Sequence, residues 1–172
     1  MRPIKKIPSL LVPFALYLVS FLNIGCIYKF HDISVSPNVK TVKVSFIENH
    51  AQYVNPQLSP KLTDKLRQKI VSQTRLSQTN GDNADWEIGG WVTSYSLSTS
   101  AISNQRETNN RLTVTVHITK YDRKADTTEQ FDISRSIEFP ASQSLQQAET
   151  AQGDELIRTL TDEIFNRLFS NW

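Results

Sequence analysis

One cysteine, Cys26, stands among the 172 residues. With a single thiol no internal disulfide can form and no thiolate metal cluster can assemble, so the fold must hold by burial alone. Histidine is scarce as well: His31, His50 and His117 are scattered along the chain, and no pair has the spacing of metal ligands on a helix. Glycine is sparse too, at five residues. There is no Gly-x-Ser-x-Gly elbow and no phosphate-cradling glycine loop, and Gly89-Gly90 falls inside a β-like segment, where it reads as a bulge or a close backbone approach. No catalytic or metal-binding constellation is left, so a non-enzymatic protein with no cofactor is expected. A net basic footprint is missing too. Arg2, Lys5 and Lys6 precede the first acidic residue, and the chain after them carries 16 basic against 17 acidic side chains. That balance speaks against a nucleic-acid binder, which needs cations to neutralise phosphates.

What is present first is an export signal. Arg2, Lys5 and Lys6 form a basic start, and from Ile7 to Ile24 no charged side chain appears. The run closes on Leu22-Asn23-Ile24-Gly25-Cys26, which resembles a bacterial lipoprotein signal, in which peptidase cleavage after a small residue exposes a cysteine that takes lipid. Asn23 occupies the place where that signal usually has leucine, and Leu22 lies one position earlier. A retained membrane anchor and an ordinary secretory signal with an incidental cysteine are the competing readings. Pro8 and Pro13 break the first half as a continuous helix, which favours a processed signal over a permanent span. The expected organisation is therefore a leader over 1–25, a tether over 26–38 carrying a fatty acid such as palmitate on Cys26, and one domain over 39–172. After processing about 147 residues remain, enough for a single core.

Periodicity orders the elements. Lys40 to Ile47 alternates as a half-buried strand with Val42, Val44 and Phe46 on one side. Ser59-Pro60 is expected to open a helix, the serine capping it, and Leu58, Leu62, Leu66 and Ile70 make one apolar stripe. Lys61, Lys65 and Lys69 run beside it as a basic row, either solvated or in contact with a partner. Ala84 to about Ser100 is β-like, with Trp86, Ile88 and Val92 inward and Trp91 and Tyr95 on the opposite face, either exposed as a binding surface or covered. Ser103 to Asn110 reads as a loop. Arg111 to Tyr121 is a strand with Leu112, Val114, Val116 and Ile118 inward and Thr113, Thr115 and His117 outward. Phe131, Ile133, Ile137 and Phe139 mark the last strand, with Arg135 on their side through a bulge or a snorkelling side chain. After Pro140, Ser142 or Ser144 caps a helical segment interrupted by Gly153, whose strong part holds Leu156, Ile157, Leu160, Ile164 and Leu168. Asp154, Glu155, Asp162 and Glu163 lie on its solvated side.

These elements predict an α+β fold in the order strand-helix-strand-strand-strand-helix, with two helices packed on one face of a sheet of about four strands and the other face open. Arg106, Arg111, Lys120 and Arg123 fall at strand ends and in loops. They are candidate contacts for an anionic ligand or partner, together with Trp91, Tyr95, Thr113, Thr115 and His117 on the open face.

The chain resembles the LptE family of outer-membrane lipopolysaccharide-assembly lipoproteins, in its Bacteroidetes-type form. The likeness is carried by Gly25-Cys26-Ile27-Tyr28-Lys29-Phe30, Val54-Asn55-Pro56-Gln57-Leu58-Ser59, Asn110 to Val116, and Asp162-Glu163-Ile164-Phe165-Asn166 through Phe169-Ser170-Asn171-Trp172. The resemblance implies a lipid-anchored, periplasm-facing plug and assembly partner of the LptD β-barrel in the cell outer membrane, in contact with lipopolysaccharide. The competing expectation is a periplasmic lipoprotein that binds a peptide or envelope polymer through the same sheet face or a strand edge.

Overall fold

The computed structural model describes residues 35–53, 55–103 and 106–170, with side chains for all of these except 101–103 and 106–108. The elements run β1 (Thr41–Val44), β2 (Glu48–Asn49), α1 (Leu58–Gln73), β3 (Ser77–Gln78), β4 (Trp86–Ser103), β5 (Arg106–Asp122), β6 (Thr127–Pro140) and α2 (Leu145–Phe169). The sheet is mixed, ordered β3-β1-β4-β5-β6, with β2 also paired to β4. β1 runs parallel to both β3 and β4, so α1 is the crossover of a strand-helix-strand unit. β4, β5 and β6 form an antiparallel meander. The four expected strands are joined by two further ones of two residues each, too short to leave a periodic signal.

Both helices lie on one face of this sheet. Val42, Val44, Ile88, Val92, Leu112, Val114, Val116 and Ile118 point from the strands into one core with Leu62, Leu66 and Ile70 of α1 and Leu160 and Ile164 of α2. Each such side chain contributes about 1.5–3 kcal/mol on leaving water. The helices also meet through charge, Lys61 with Asp154 and Lys69 with Asp162, both at 2.9 Å. The basic row of α1 thus forms part of a seam between helices, and two of the carboxylates expected to be merely solvated are its partners.

Local departures from the expected elements have physical causes. α1 begins at Leu58 with Gln57 at its N-cap, and the Ser59 hydroxyl makes no cap; Asn55 Oδ1 accepts instead from Gln57 N at 2.9 Å. Pro60 sits in the first turn, where amides lack helical acceptors anyway. α2 is capped by Ser144 in a capping box with Gln147 and passes through Gly153 unbroken, because nothing crowds that position and the buried stripe resumes at Leu156. Between β1 and β2 the chain carries one residue more than its partner: Val44 pairs with Ile88, and Glu48 with Trp91. This extra residue turns Phe46 outward, 52% exposed, and puts Ile47 into the core. Arg135 snorkels, since the β5–β6 register is continuous and its guanidinium reaches Glu163 at 2.5 Å. β5 already begins at Arg106 within the stretch expected as a loop.

At about 3.3 Å per residue the 18-residue β4 spans ~60 Å, against ~38 Å for the 25-residue α2. Trp86 packs beneath Phe169 at one end of α2 and Tyr95 meets Glu149 near the other. The hairpin therefore projects past the helices, leaving Leu97 52% exposed.

Candidate functional site: the uncovered sheet face

Register fixes what the other face displays. The tight turn after Asp122, with Asp126 at a positive φ of 52°, sets the β5–β6 pairing. Thr113 stands opposite Ser136, Thr115 opposite Ser134 and His117 opposite Asp132. Thr113 Oγ1 and Ser136 Oγ lie 2.8 Å apart, Thr115 Oγ1 and Ser134 Oγ 3.1 Å, and His117 Nδ1 is 2.7 Å from Asp132 Oδ1. β4 extends the grid with Ser94, Ser96 and Ser98, opposite Thr115, Thr113 and Arg111. Every hydroxyl here can both donate and accept.

One row is aromatic. His50, Trp91 and His117 stand side by side, with ring centroids 5.8 Å apart for His50 and Trp91 and 4.5 Å for Trp91 and His117. Glu48 reaches His50 Nε2 at 2.8 Å, so a carboxylate closes each end of the row. β2 brings His50 here, its amide bonding the Val92 carbonyl at 3.0 Å. Gly90 lies close beneath, since a Cβ there would stand 2.1 Å from the His117 carbonyl oxygen. Gly90 is thus a close backbone approach, whereas Gly89 has only ordinary contacts, and the nearest bulge of the strand falls later, between Val92 and Ser94.

That bulge relocates Tyr95. With Thr93 as the extra residue, Tyr95 turns to the helix side, where it is 9% exposed and donates its hydroxyl to Glu149 of α2. Burial, and then the neighbouring Glu149 carboxylate, push its phenol pKa well above the usual value. Trp91 and Tyr95 therefore occupy opposite faces, contrary to the shared outward face expected from alternation.

The four candidate cations are dispersed. Arg111 lies at the hydroxyl end of the open face, paired with Glu138 at 2.5 Å and 48% exposed. Arg106 opens β5, its side chain outside the described set. Lys120 is buried on the helix side, its ammonium 4.6 Å above the Trp86 ring and 2.9 Å from Glu129. Arg123 is held in the turn by the Ala84 and Asp82 carbonyls and by Glu87. Cys26 lies outside the described residues. Among the described residues no group of three His, Cys, Asp or Glu side chains is placed to hold a metal, and no helix is long and apolar enough to cross a membrane.

His50, Glu48, Asp132 and the serines of β4 and β6 were not singled out by sequence reasoning. The available signal was the turn near Lys124-Ala125, from which the whole β5–β6 register follows; nothing marked the two-residue β2 that carries Glu48 and delivers His50.

Residues 39–168 match the model of the LptE family, described as lipopolysaccharide-assembly. None of the curated proteins matches the chain. Among solved structures, rare lipoprotein B from Shewanella oneidensis superposes with a TM-score of 0.53 at 13% identity, covering 73% of this chain and 92% of its own. The hypothetical protein CT253 from Chlamydia trachomatis gives 0.50 at 8% identity, over 75% and 95%. At these identities the structural likeness speaks for the fold alone.

Proposed function

Because the chain belongs to the LptE lipopolysaccharide-assembly family, we propose that it is a lipid-anchored, non-enzymatic component of the outer-membrane lipopolysaccharide translocon. Cys26 carries the anchor, the domain faces the periplasm, and the uncovered sheet face docks inside an LptD-type β-barrel as plug and assembly partner. The observation that carries this reading is the face itself: a hydroxyl grid edged by Arg111–Glu138 at one end and by the His50–Trp91–His117 row at the other, left open by both helices. Barrel lumens are polar, and a grid of hydroxyls can reorient to whichever donors and acceptors that wall presents. Arg111 can exchange Glu138 for a lipid phosphate, a charge-assisted contact.

Affinity isolation of the tagged full chain from detergent-solubilised membranes tests it. An outer-membrane barrel should co-elute, and its recovery should fall to background for the double variant Thr113→Glu, Thr115→Glu, which keeps the core intact. A wild-type eluate without a barrel overturns the reading; a co-purifying envelope polymer in its place would support the alternative binder.

A further inference from the structure

A cleft of about 240 Å³ opens where the helices end and the hairpin continues. Its floor is apolar, formed by Leu58 of α1, Leu112 and Ile137 of the sheet, and Leu156 and Ile157 of α2. Tyr95 forms one wall and is backed by Tyr53, whose ring stacks on it at 5.1 Å and is itself 47% exposed. Glu149 stands at the rim. Tyr95 donates to it, yet among the described residues no cation pairs with it. Lys61 also lines the cleft, but its ammonium is already bound to Asp154 at 2.9 Å.

A half-buried carboxylate over an apolar floor, without a countercharge, is an incomplete arrangement, because the charge has lost part of its hydration and gained one neutral donor in return. We propose that this cleft receives the basic side chain, lysine or arginine, of a partner protein. The aliphatic stem lies along the floor as such stems do on apolar surfaces, and the cationic head meets Glu149 against the face of the tyrosine pair. The volume accommodates one long side chain. With Lys61 and Asp154 offsetting each other, Glu149 leaves the cleft net negative, which disfavours a fatty-acid carboxylate or a phosphate at the same place. The raised phenol pKa of Tyr95 keeps it a hydrogen-bond donor throughout the physiological range. This inference goes beyond the envelope role and does not depend on it, since the open face and the cleft lie on opposite sides of the sheet.

The test uses three probes on the full chain: acetyl-Ala-Lys-Ala-amide and the counterparts with norleucine or glutamate in place of lysine. Methyl NMR signals of Leu112, Ile137 and Ile157 report occupancy. The lysine peptide should shift these methyls and bind about tenfold more tightly than the norleucine peptide, as expected for one charge-assisted contact, and the advantage should shrink in high salt. The glutamate peptide should leave the methyls unmoved. Glu149→Gln, which keeps an acceptor for Tyr95, should bring the lysine peptide down to the norleucine level. Equal binding of the lysine and norleucine peptides would assign the cleft to an uncharged chain and overturn the proposal. So would an unchanged lysine affinity in Glu149→Gln, or no methyl shift with any probe.

Discussion

Trp91 and His117 face each other across β4 and β5 with ring centroids 4.5 Å apart, on the side of the sheet opposite α1 and α2. The other described tryptophan of β4, Trp86, is 4% exposed on the helix side, tilted against Phe169 at 5.6 Å and donating its indole N–H to Asp122 at 2.9 Å. Five residues apart, the two rings serve different ends. Trp91→Ala should cost about 1–2 kcal/mol, the worth of two aromatic contacts, and should sharply reduce barrel recovery. Trp86→Ala should cost about 3–5 kcal/mol through loss of a filled core site. Urea unfolding paired with affinity isolation separates the two effects; equal destabilisation, or full barrel recovery by Trp91→Ala, would remove the open face from the functional reading.

Charge reversal sorts the cations. Arg111 lies on the open face, whereas Lys61 is committed to Asp154 in the helix seam. Reversal of Arg106 and Arg111 to glutamate should weaken lipopolysaccharide binding more than reversal of Lys61 and Lys65. Binding of labelled lipopolysaccharide to the four single variants decides it, and equal losses would dissociate binding from the sheet end.

The proposed lipidation rests on the Leu22 to Cys26 stretch. Cys26→Ser should abolish incorporation of radioactive palmitate and release the domain from membranes on salt-free washing. Persistent labelling of the variant would place the anchor elsewhere.

The parts of this fold that were legible in the sequence are those governed by an unbroken period. Leu112 to Ile118 and the Leu58–Ile70 stripe point inward as their spacing requires, because each is a regular element with one buried face. What escaped was decided by single extra residues. Thr93 sends Tyr95 to the helix side and makes it part of the cleft, and one residue between Val44 and Glu48 exchanges Phe46 for Ile47 in the core. A period-two pattern carries no mark of such an insertion, which is paid for by strand pairing elsewhere. The polar stretch from 103 to 110 reads as a loop because it carries no apolar residue to set a period, although β5 begins within it at Arg106.

Acid should loosen the start of β1 through Asp85. Its carboxylate accepts from the amides of Lys40 at 2.7 Å and Thr41 at 3.0 Å, and Lys124 lies 3.1 Å away. Those two amides, and then Lys124, hold its pKa well below the usual carboxylate range. In the unfolded chain the group titrates near its ordinary value of about 3.9, so between the two values the unfolded state binds more protons and stability rises with pH. The contribution is complete above about pH 4 and is lost as pH falls towards the folded value. Asp85→Asn should lower the melting temperature at pH 7 and flatten its decline below pH 4. Parallel melting curves for wild type and variant from pH 7 to pH 2 would show that this carboxylate does not anchor the start of β1.

Two glycines give opposite expectations for the same substitution. At Gly90 a methyl would lie 2.1 Å from the His117 carbonyl oxygen and 3.1 Å from Ile118 Cδ1, and the first of these is backbone that cannot swing aside. Gly90→Ala should therefore cost about 3 kcal/mol, the upper range for overpacking, and push β4 from β5 beneath the Trp91–His117 pair. Gly153 lies inside α2 with nothing within 4 Å of the added methyl, so Gly153→Ala should stabilise by about 0.5–1 kcal/mol through helix propensity alone. Because Gly153 also borders the cleft, the substitution tests whether α2 needs a soft point there: a stabilised variant that still binds the lysine peptide shows a rigid rim, whereas stability gained with binding lost shows that the helix must yield for the side chain to enter.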